Sequence, residues 1–225
     1  LACGGTSGVN GAAINIGAAG SSNTFTVGEG AYVYSLGAGH ALSSGDLAIE
    51  SSTIEVVNGG RVGVVYFGNA YAGNLTGTVD VTIKGGIVGT IQGTMNTGST
   101  DDVNISITDG SYVGTFHFGT SAQAATWTVA ANHRVTVTLA GSTIGEVECY
   151  GKVAKGENAG VDLVVTGAAV IGKDGGTNVP VGMKYFDTIT INVGEYDSGL
   201  TFDGASNGYT GTYTVDLADC DYTQL

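Results

Sequence analysis

A short segment recurs along this chain and constrains its fold more than any other feature. In the clearest copy, residues 79–93, apolar and polar residues alternate over residues 79–84. That alternation is the period of a β-strand with one buried face. The dipeptide Gly85-Gly86 then favours a turn, and a second short strand follows it. The copy predicts a strand–turn–strand unit.

Five copies of the unit carry a glycine at the same position of the second strand, and we call it the anchor glycine. The anchor glycines are Gly63, Gly89, Gly114, Gly145 and Gly172. They lie 26, 25, 31 and 27 residues apart, and the first recognisable copy has Tyr34 at this position. A strand–turn–strand repeat of this period is typical of a solenoid. We therefore predict an all-β parallel β-helix (β-solenoid) of seven or eight coils, with a period of about 25–31 residues.

The composition agrees with this fold and argues against two classes of partner. Forty glycines and one proline indicate many tight turns and strands that no proline interrupts. The net charge is −13, and the seven basic residues form no stripe of the kind that binds nucleic acid or anionic lipid. No apolar run approaches the ~20 residues of a membrane-spanning helix. We expect neither nucleic-acid binding nor membrane insertion.

The organisation along the chain follows from where the repeats begin and end. We predict that residues 1–22 form an N-terminal arm or a partial first coil, that residues 23–200 form the β-solenoid, and that residues 201–225 form a terminal strand and edge segment. Because the first residue is Leu1 and not Met, we expect a processed mature form or a piece of a longer protein.

Stacked coils place equivalent residues in columns, and the alternation assigns each column to the inside or the outside. The residues predicted to point inward are Val81, Ile83, Val88, Ile91, Phe116, Val137 and Val147. Those predicted to point outward are Lys84, Gln92, His117 and Glu148. The residues predicted to lie in turns, at least one of them at positive φ, are Gly85, Gly110 and Gly141.

The longest repeat contains a predicted insertion at residues 120–129, with the only tryptophan, Trp127. Insertions on the flank of a solenoid often carry binding function. Trp127 and the outer aromatics Tyr66, Tyr71 and Tyr112 are therefore candidates for ligand contact. The alternative interpretation is that Trp127 fills a gap beneath a longer loop.

Metal-binding chemistry is sparse in this sequence, and we expect no cofactor. Asp216, Asp219 and Asp221 offer oxygen ligands at a spacing that would suit one calcium ion, although solvated acidic turns are the commoner arrangement. The histidines do not pair with cysteine at metal-ligand spacing and are predicted to lie at the surface.

The sequence also shows no reaction. A polysaccharide lyase or hydrolase built on a β-helix would need clustered acids with a nearby Arg or Lys, whereas Arg61 and Arg134 are isolated along the sequence. Asp101-Asp102 lies in a predicted turn, where Asp is favoured for local hydrogen bonds. We expect no enzyme, and this class ranks third among the functions considered.

The ends of the array are predicted to be adhesive. The first and last coils of a solenoid expose strand edges, and no capping helix is evident at either end. Head-to-tail stacking would bring Tyr213, Val215 and Leu217 into an inter-subunit contact. It would also bring Cys3 of one copy near Cys220 of the next, where they could form a disulfide; two free or intrachain thiols are the alternative.

The spacing Val-x-Ile-x-Gly-Gly-x-Val-Gly-x-Ile, over about residues 24–200, resembles the glycine-rich β-solenoid repeats of bacterial surface and adhesin-like proteins. This resemblance implies a right-handed parallel β-helix displayed outside the cell. We therefore expect an extracellular or cell-surface structural protein, a fibre or surface-layer subunit whose partner is itself, as a homopolymer. The leading alternative is a surface adhesin that binds glycans or other surface components.

Overall fold

The chain folds into a parallel β-solenoid of about six turns, which confirms the predicted fold class. The prediction of seven or eight coils was slightly too high. The computed structural model describes residues 6–9, 12–15, 20–39, 45–120, 124–149, 151–172, 181–192, 199–203 and 212–216.

The described residues form twenty strands and one 3₁₀ helix, at Val181–Tyr185. The strands are β1 (Thr6–Val9), β2 (Ala12–Asn15), β3 (Ser22–Val27), β4 (Tyr32–Gly39), β5 (Leu47–Val57), β6 (Arg61–Asn69), β7 (Leu75–Lys84), β8 (Ile87–Thr94), β9 (Gly98–Thr100), β10 (Val103–Thr108), β11 (Tyr112–Thr120), β12 (Thr126–Val129), β13 (Arg134–Ala140), β14 (Thr143–Glu148), β15 (Lys152–Lys155), β16 (Gly160–Thr166), β17 (Ala168–Gly172), β18 (Thr188–Asn192), β19 (Gly199–Asp203) and β20 (Thr212–Asp216).

The solenoid has three faces. Face 1 is a parallel sheet in the order β3-β5-β7-β10-β13-β16-β18-β20, and face 2 is a parallel sheet in the order β4-β6-β8-β11-β14-β17-β19. Face 3 consists of the first residues of β5 and β7, followed by β9, β12 and β15. The strands β1 and β2 form a separate antiparallel hairpin that joins neither sheet in the described part of the chain.

Face 3 is the element that the sequence analysis missed, because it predicted only two strands per coil. The strand β9 has three residues, too few to show an alternation. The strand β12 pairs in register with β9 and β15, so residues Thr126–Val129 form a regular strand of face 3. Their assignment to an insertion at residues 120–129 was therefore wrong.

The core is a stack of inward columns, as predicted. Ile105 lies between Val81 and Val137 in the register of face 1. All seven residues predicted to point inward are at most 1% exposed. Aromatic rings fill the space between faces 2 and 3, and Phe186, just after the 3₁₀ helix, packs against Phe116 and Phe118.

The prediction of four outward-pointing, exposed residues was wrong at two positions. Lys84 is exposed as predicted, but Gln92 and His117 are only 5% and 4% exposed, and Glu148 is half-buried. Gln92, His117 and Glu148 form one column of face 2, near the carboxyl ends of its strands. The Gln92 amide donates to the carbonyl of Thr94 at 3.3 Å. Alternation assigns a side chain to one side of a sheet, but it does not show what covers that side.

The turn glycines and the anchor glycines have different structural roles. Gly85, Gly110 and Gly141 all lie in turns at positive φ, of 65°, 71° and 55°, which confirms that prediction. The anchor glycines instead allow close stacking of backbones. A Cβ atom at Gly89 or Gly114 would lie 2.6 Å from the carbonyl oxygen of the anchor residue in the preceding coil.

Candidate functional site

The residues predicted to contact a ligand differ in their accessibility. Trp127 is fully buried, and its ring meets Phe67 edge to face at 5.5 Å between ring centroids. It therefore packs within the core from a regular strand of face 3 and presents no surface to a ligand. Tyr66 is also largely covered, at 8% exposure, and burial raises its pKa. Tyr71 and Tyr112 are exposed.

Of the residues predicted to meet between subunits, the structure describes Tyr213 and Val215. Tyr213 and Val215 lie in β20, in register with Ile189 and Ile191 of β18. Leu217 and the two cysteines of the proposed seal, Cys3 and Cys220, lie outside the described residues. So do Asp219 and Asp221, and thus both the seal and the calcium site stay predictions.

The remaining cysteine, Cys149, packs against the core and is half-buried. Its thiol donates to the carbonyl of Gly151 at 3.3 Å. Burial is the largest influence on this thiol and raises its pKa. A protonated thiol is a poor nucleophile, so Cys149 acts here as a packing residue.

A ladder of charged residues runs along the corner between faces 3 and 1, and we call it the corner ladder. Its members are Asp101, Asp102, His133, Arg134, Lys155, Asp162 and Asp187. His133 Nδ1 lies 3.0 Å from Asp102 Oδ2, and His133 Nε2 lies 3.7 Å from Asp101 Oδ1. The backbone N–H of Arg134 donates to Asp102 Oδ1 at 2.9 Å. Each contact joins one coil to the next.

The ladder continues into the following coils. Arg134 binds Asp162 through two parallel hydrogen bonds of 2.6 and 2.7 Å, the two-point geometry in which Arg is most effective. Lys155 Nζ donates to Asp187 Oδ1 at 2.6 Å. Although Arg134 is isolated along the sequence, the stacking gives it a partner 28 residues away.

Contacts within the ladder shift the pKa values of His133 and Asp102. Hydrogen bonding to Asp102 is the largest influence on His133 and raises the pKa of its imidazole. Desolvation alone would raise the pKa of Asp102, but hydrogen bonds from Arg134 and His133 outweigh it and lower that pKa. Because both ring nitrogens of His133 face carboxylates of the preceding coil, these contacts join the two coils.

The positions of four ladder residues in the sequence indicate that they could meet. Asp101-Asp102 and His133-Arg134 each come directly before the valine that starts the apolar alternation of a face 1 strand. Equivalent positions in successive coils meet in a solenoid. The described part of the chain holds no group of three or more His, Cys, Asp or Glu side chains arranged to bind a metal ion.

His117 was predicted to lie at the surface and instead is buried beside Glu148. Burial is the largest influence on its imidazole and lowers the pKa. Its Nε2 lies 3.8 Å from Glu148 Oε2, a separation that would favour the charged form. Burial outweighs this attraction because a separation of 3.8 Å exceeds hydrogen-bond range.

In the first coil, residues 22–39, burial of the inward side chains is uneven: Val27, Leu36 and Ala38 are at most 1% exposed. Phe25 and Val33 are only partly buried. The residues that follow them in the same columns, Ile54 and Val62, are 0% and 2% exposed. Within the described chain, β3 and β4 each pair with a strand on one side only. Among the described residues, this end therefore presents the partly buried Phe25 and Val33 beside two strand edges that pair on one side only.

Comparison of the chain with family models, with curated proteins and with solved structures gives no match. Among the described residues, no helix has the length and apolar character needed to span a membrane.

Proposed function

We propose that this chain is a non-catalytic structural protein of the cell surface or extracellular space, whose copies associate end to end. The observation that carries the proposal is the pair of strand edges at the first coil, β3 in face 1 and β4 in face 2. Partly buried Phe25 and Val33 adjoin these edges, which pair on one side only within the part of the chain that the structure describes. Such an edge can pair with another chain unless something covers it.

The far edge of face 1 carries a matching pattern of residue types. Counted through the register of face 1, the columns of Thr24, Phe25, Thr26 and Val27 end at Thr212, Tyr213, Thr214 and Val215. A contact between β20 of one copy and β3 of the next would continue a sheet with hydroxyl residues in one set of columns and large apolar residues in the other. A head-to-tail contact of this kind does not close on itself and propagates.

Composition supports the proposed location. Charged residues make up only 12% of the chain, against about a quarter in ordinary soluble domains, and glycine is abundant. The resemblance to glycine-rich repeats of bacterial surface proteins points the same way.

Sedimentation velocity over a concentration series tests the association. The wild type should form species larger than the monomer, and Phe25→Lys should remain monomeric because a charge would enter the column at the contact. Thr26→Lys is the matched control, since it adds the same charge to the exposed side of the same strand. A monomeric wild type at every concentration would refute the proposal. Melting curves of both variants show whether the monomer still folds.

A glycan-binding adhesin is the second candidate, and the exposed tyrosines favour it. Tyr71 and Tyr112 are 43% and 39% exposed, so a large part of each aromatic ring is accessible to a ligand. A glycan array with the wild type, Tyr71→Ala and Tyr112→Ala tests this function. Binding that both variants retain in full would exclude these rings as the contact.

A further inference from the structure

The anchor column changes residue type at the first coil. Tyr34 lies opposite Gly63, because its neighbours Val33 and Ser35 pair with Val62 and Val64. The three coils that follow Gly63 in the column also have glycine, at Gly89, Gly114 and Gly145. Tyr34 is the most exposed large apolar or aromatic residue of the described chain, at 76%.

The glycines have a specific steric cause. A Cβ atom at Gly63 would lie 2.5 Å from the carbonyl oxygen of Tyr34, and at Gly145 it would lie 2.7 Å from that of Gly114. Real Cβ atoms essentially never approach another heavy atom closer than 3.0 Å. The Cβ direction at this position therefore points at the preceding coil. A coil in this geometry needs glycine whenever another coil lies before it.

Tyr34 satisfies this rule only because no strand lies before β4 in the described chain. Asp203 also occupies the anchor column, opposite Gly172. The backbone differs there, since Gly172 has a φ of 136° and the earlier anchor glycines have no such left-handed φ. The rule therefore concerns the regular coils, to which β4 and β6 belong.

We infer that Tyr34 is a stop residue, which prevents a second copy of this chain from seating on β4 in the register of the inner coils. This inference rests on the proposed end-to-end association and deepens it. A second copy can pair with the edge of β3, but a carbonyl brought to the inner-coil distance on face 2 would collide with the Tyr34 Cβ. The contact between copies is then confined to face 1 and is weak and reversible.

The obstruction lies in the Cβ atom and not in the tyrosine ring, which makes the test sharp. Tyr34→Gly removes the Cβ, and Tyr34→Ala removes the ring while keeping the Cβ. We expect Tyr34→Gly to lower the midpoint concentration of assembly by about tenfold or more, since relief of overpacking is an effect of that size. We expect the midpoint concentration of Tyr34→Ala to lie within about threefold of the wild-type value, because this variant keeps the Cβ atom that causes the obstruction.

Sedimentation velocity of the three full-length proteins measures these midpoints, and melting curves check that each folds. If the wild type assembles and Tyr34→Gly gives no gain, or Tyr34→Ala gives an equal gain, the stop residue is refuted and the proposed function stands. If the wild type stays monomeric and only Tyr34→Gly assembles, the stop residue is upheld and the proposed function fails. If none of the three assembles, both are refuted.

Discussion

The substitution Gly89→Ala tests the stacking geometry at a position where exposure alone would predict tolerance. Gly89 is exposed to solvent, yet a Cβ atom there would lie 2.6 Å from the carbonyl oxygen of Gly63. The closest normal approach is 3.0 Å, so the two coils must separate by at least about 0.4 Å along a backbone ladder. No flexible side chain can move aside, because the atoms nearest this position are all backbone atoms of Gly63.

The expected magnitude follows from two opposing effects. Overpacking of this kind costs about 1–3 kcal/mol. Replacing glycine by alanine recovers about 0.4–1 kcal/mol through the lower entropy of the unfolded chain. The net loss is about 1–2 kcal/mol, which lowers Tm by about 2–8 °C in a chain of this size.

The assay is thermal unfolding followed by circular dichroism, with Gly28→Ala as the matched control. Gly28 has no left-handed φ, and a Cβ atom there would meet nothing within 4 Å. In Gly28→Ala only the lower entropy of the unfolded chain changes the stability. The Tm of this variant should therefore equal or slightly exceed that of the wild type. If Gly89→Ala melts with or above Gly28→Ala, the steric explanation of the anchor glycines is wrong.

Three further changes test other parts of the structure. Val137→Asp should cost several kcal/mol in chemical denaturation because it buries an unpaired charge, whereas Thr138→Asp on the outer side of the same strand should cost far less; equal losses would contradict the register. Trp127→Ala should cost about 3–5 kcal/mol by the same measurement, and a change below about 1 kcal/mol would mean that the ring does not pack the core. The pKa of His133 is raised on folding, so its contribution to stability is complete below its unfolded value near 6.5 and is lost as pH rises through the folded value. The Tm difference between the wild type and His133→Gln should therefore shrink from pH 6 to pH 8.5, and a constant difference would rule out this linkage.

The repeat was readable from the sequence because the inward columns are chemically uniform. Residues such as Val81, Ile105 and Val137 occupy one column, and each alternates with polar residues along its own strand. The turn glycines were readable for a related reason, since a left-handed turn between two strands favours glycine wherever it recurs.

Other features depend on contacts that no local pattern records. The strand Gly98–Thr100 gains its identity from pairing with β7 and β12, and not from its own three residues. The burial of His117 is one of these features, since alternation places it on the opposite side of the strand from Phe116 and does not record that this side is covered. The corner ladder joins residues about 30 positions apart, so its members looked isolated until the period was applied to them.

Electron microscopy of the native protein over a concentration series tests the central claim most directly. End-to-end association predicts filaments whose strands lie across the long axis, with a repeat of about 4.8 Å along it. Phe25→Lys should abolish these filaments, and Thr26→Lys should preserve them. Discrete rods of a single solenoid's length at every concentration would contradict the account.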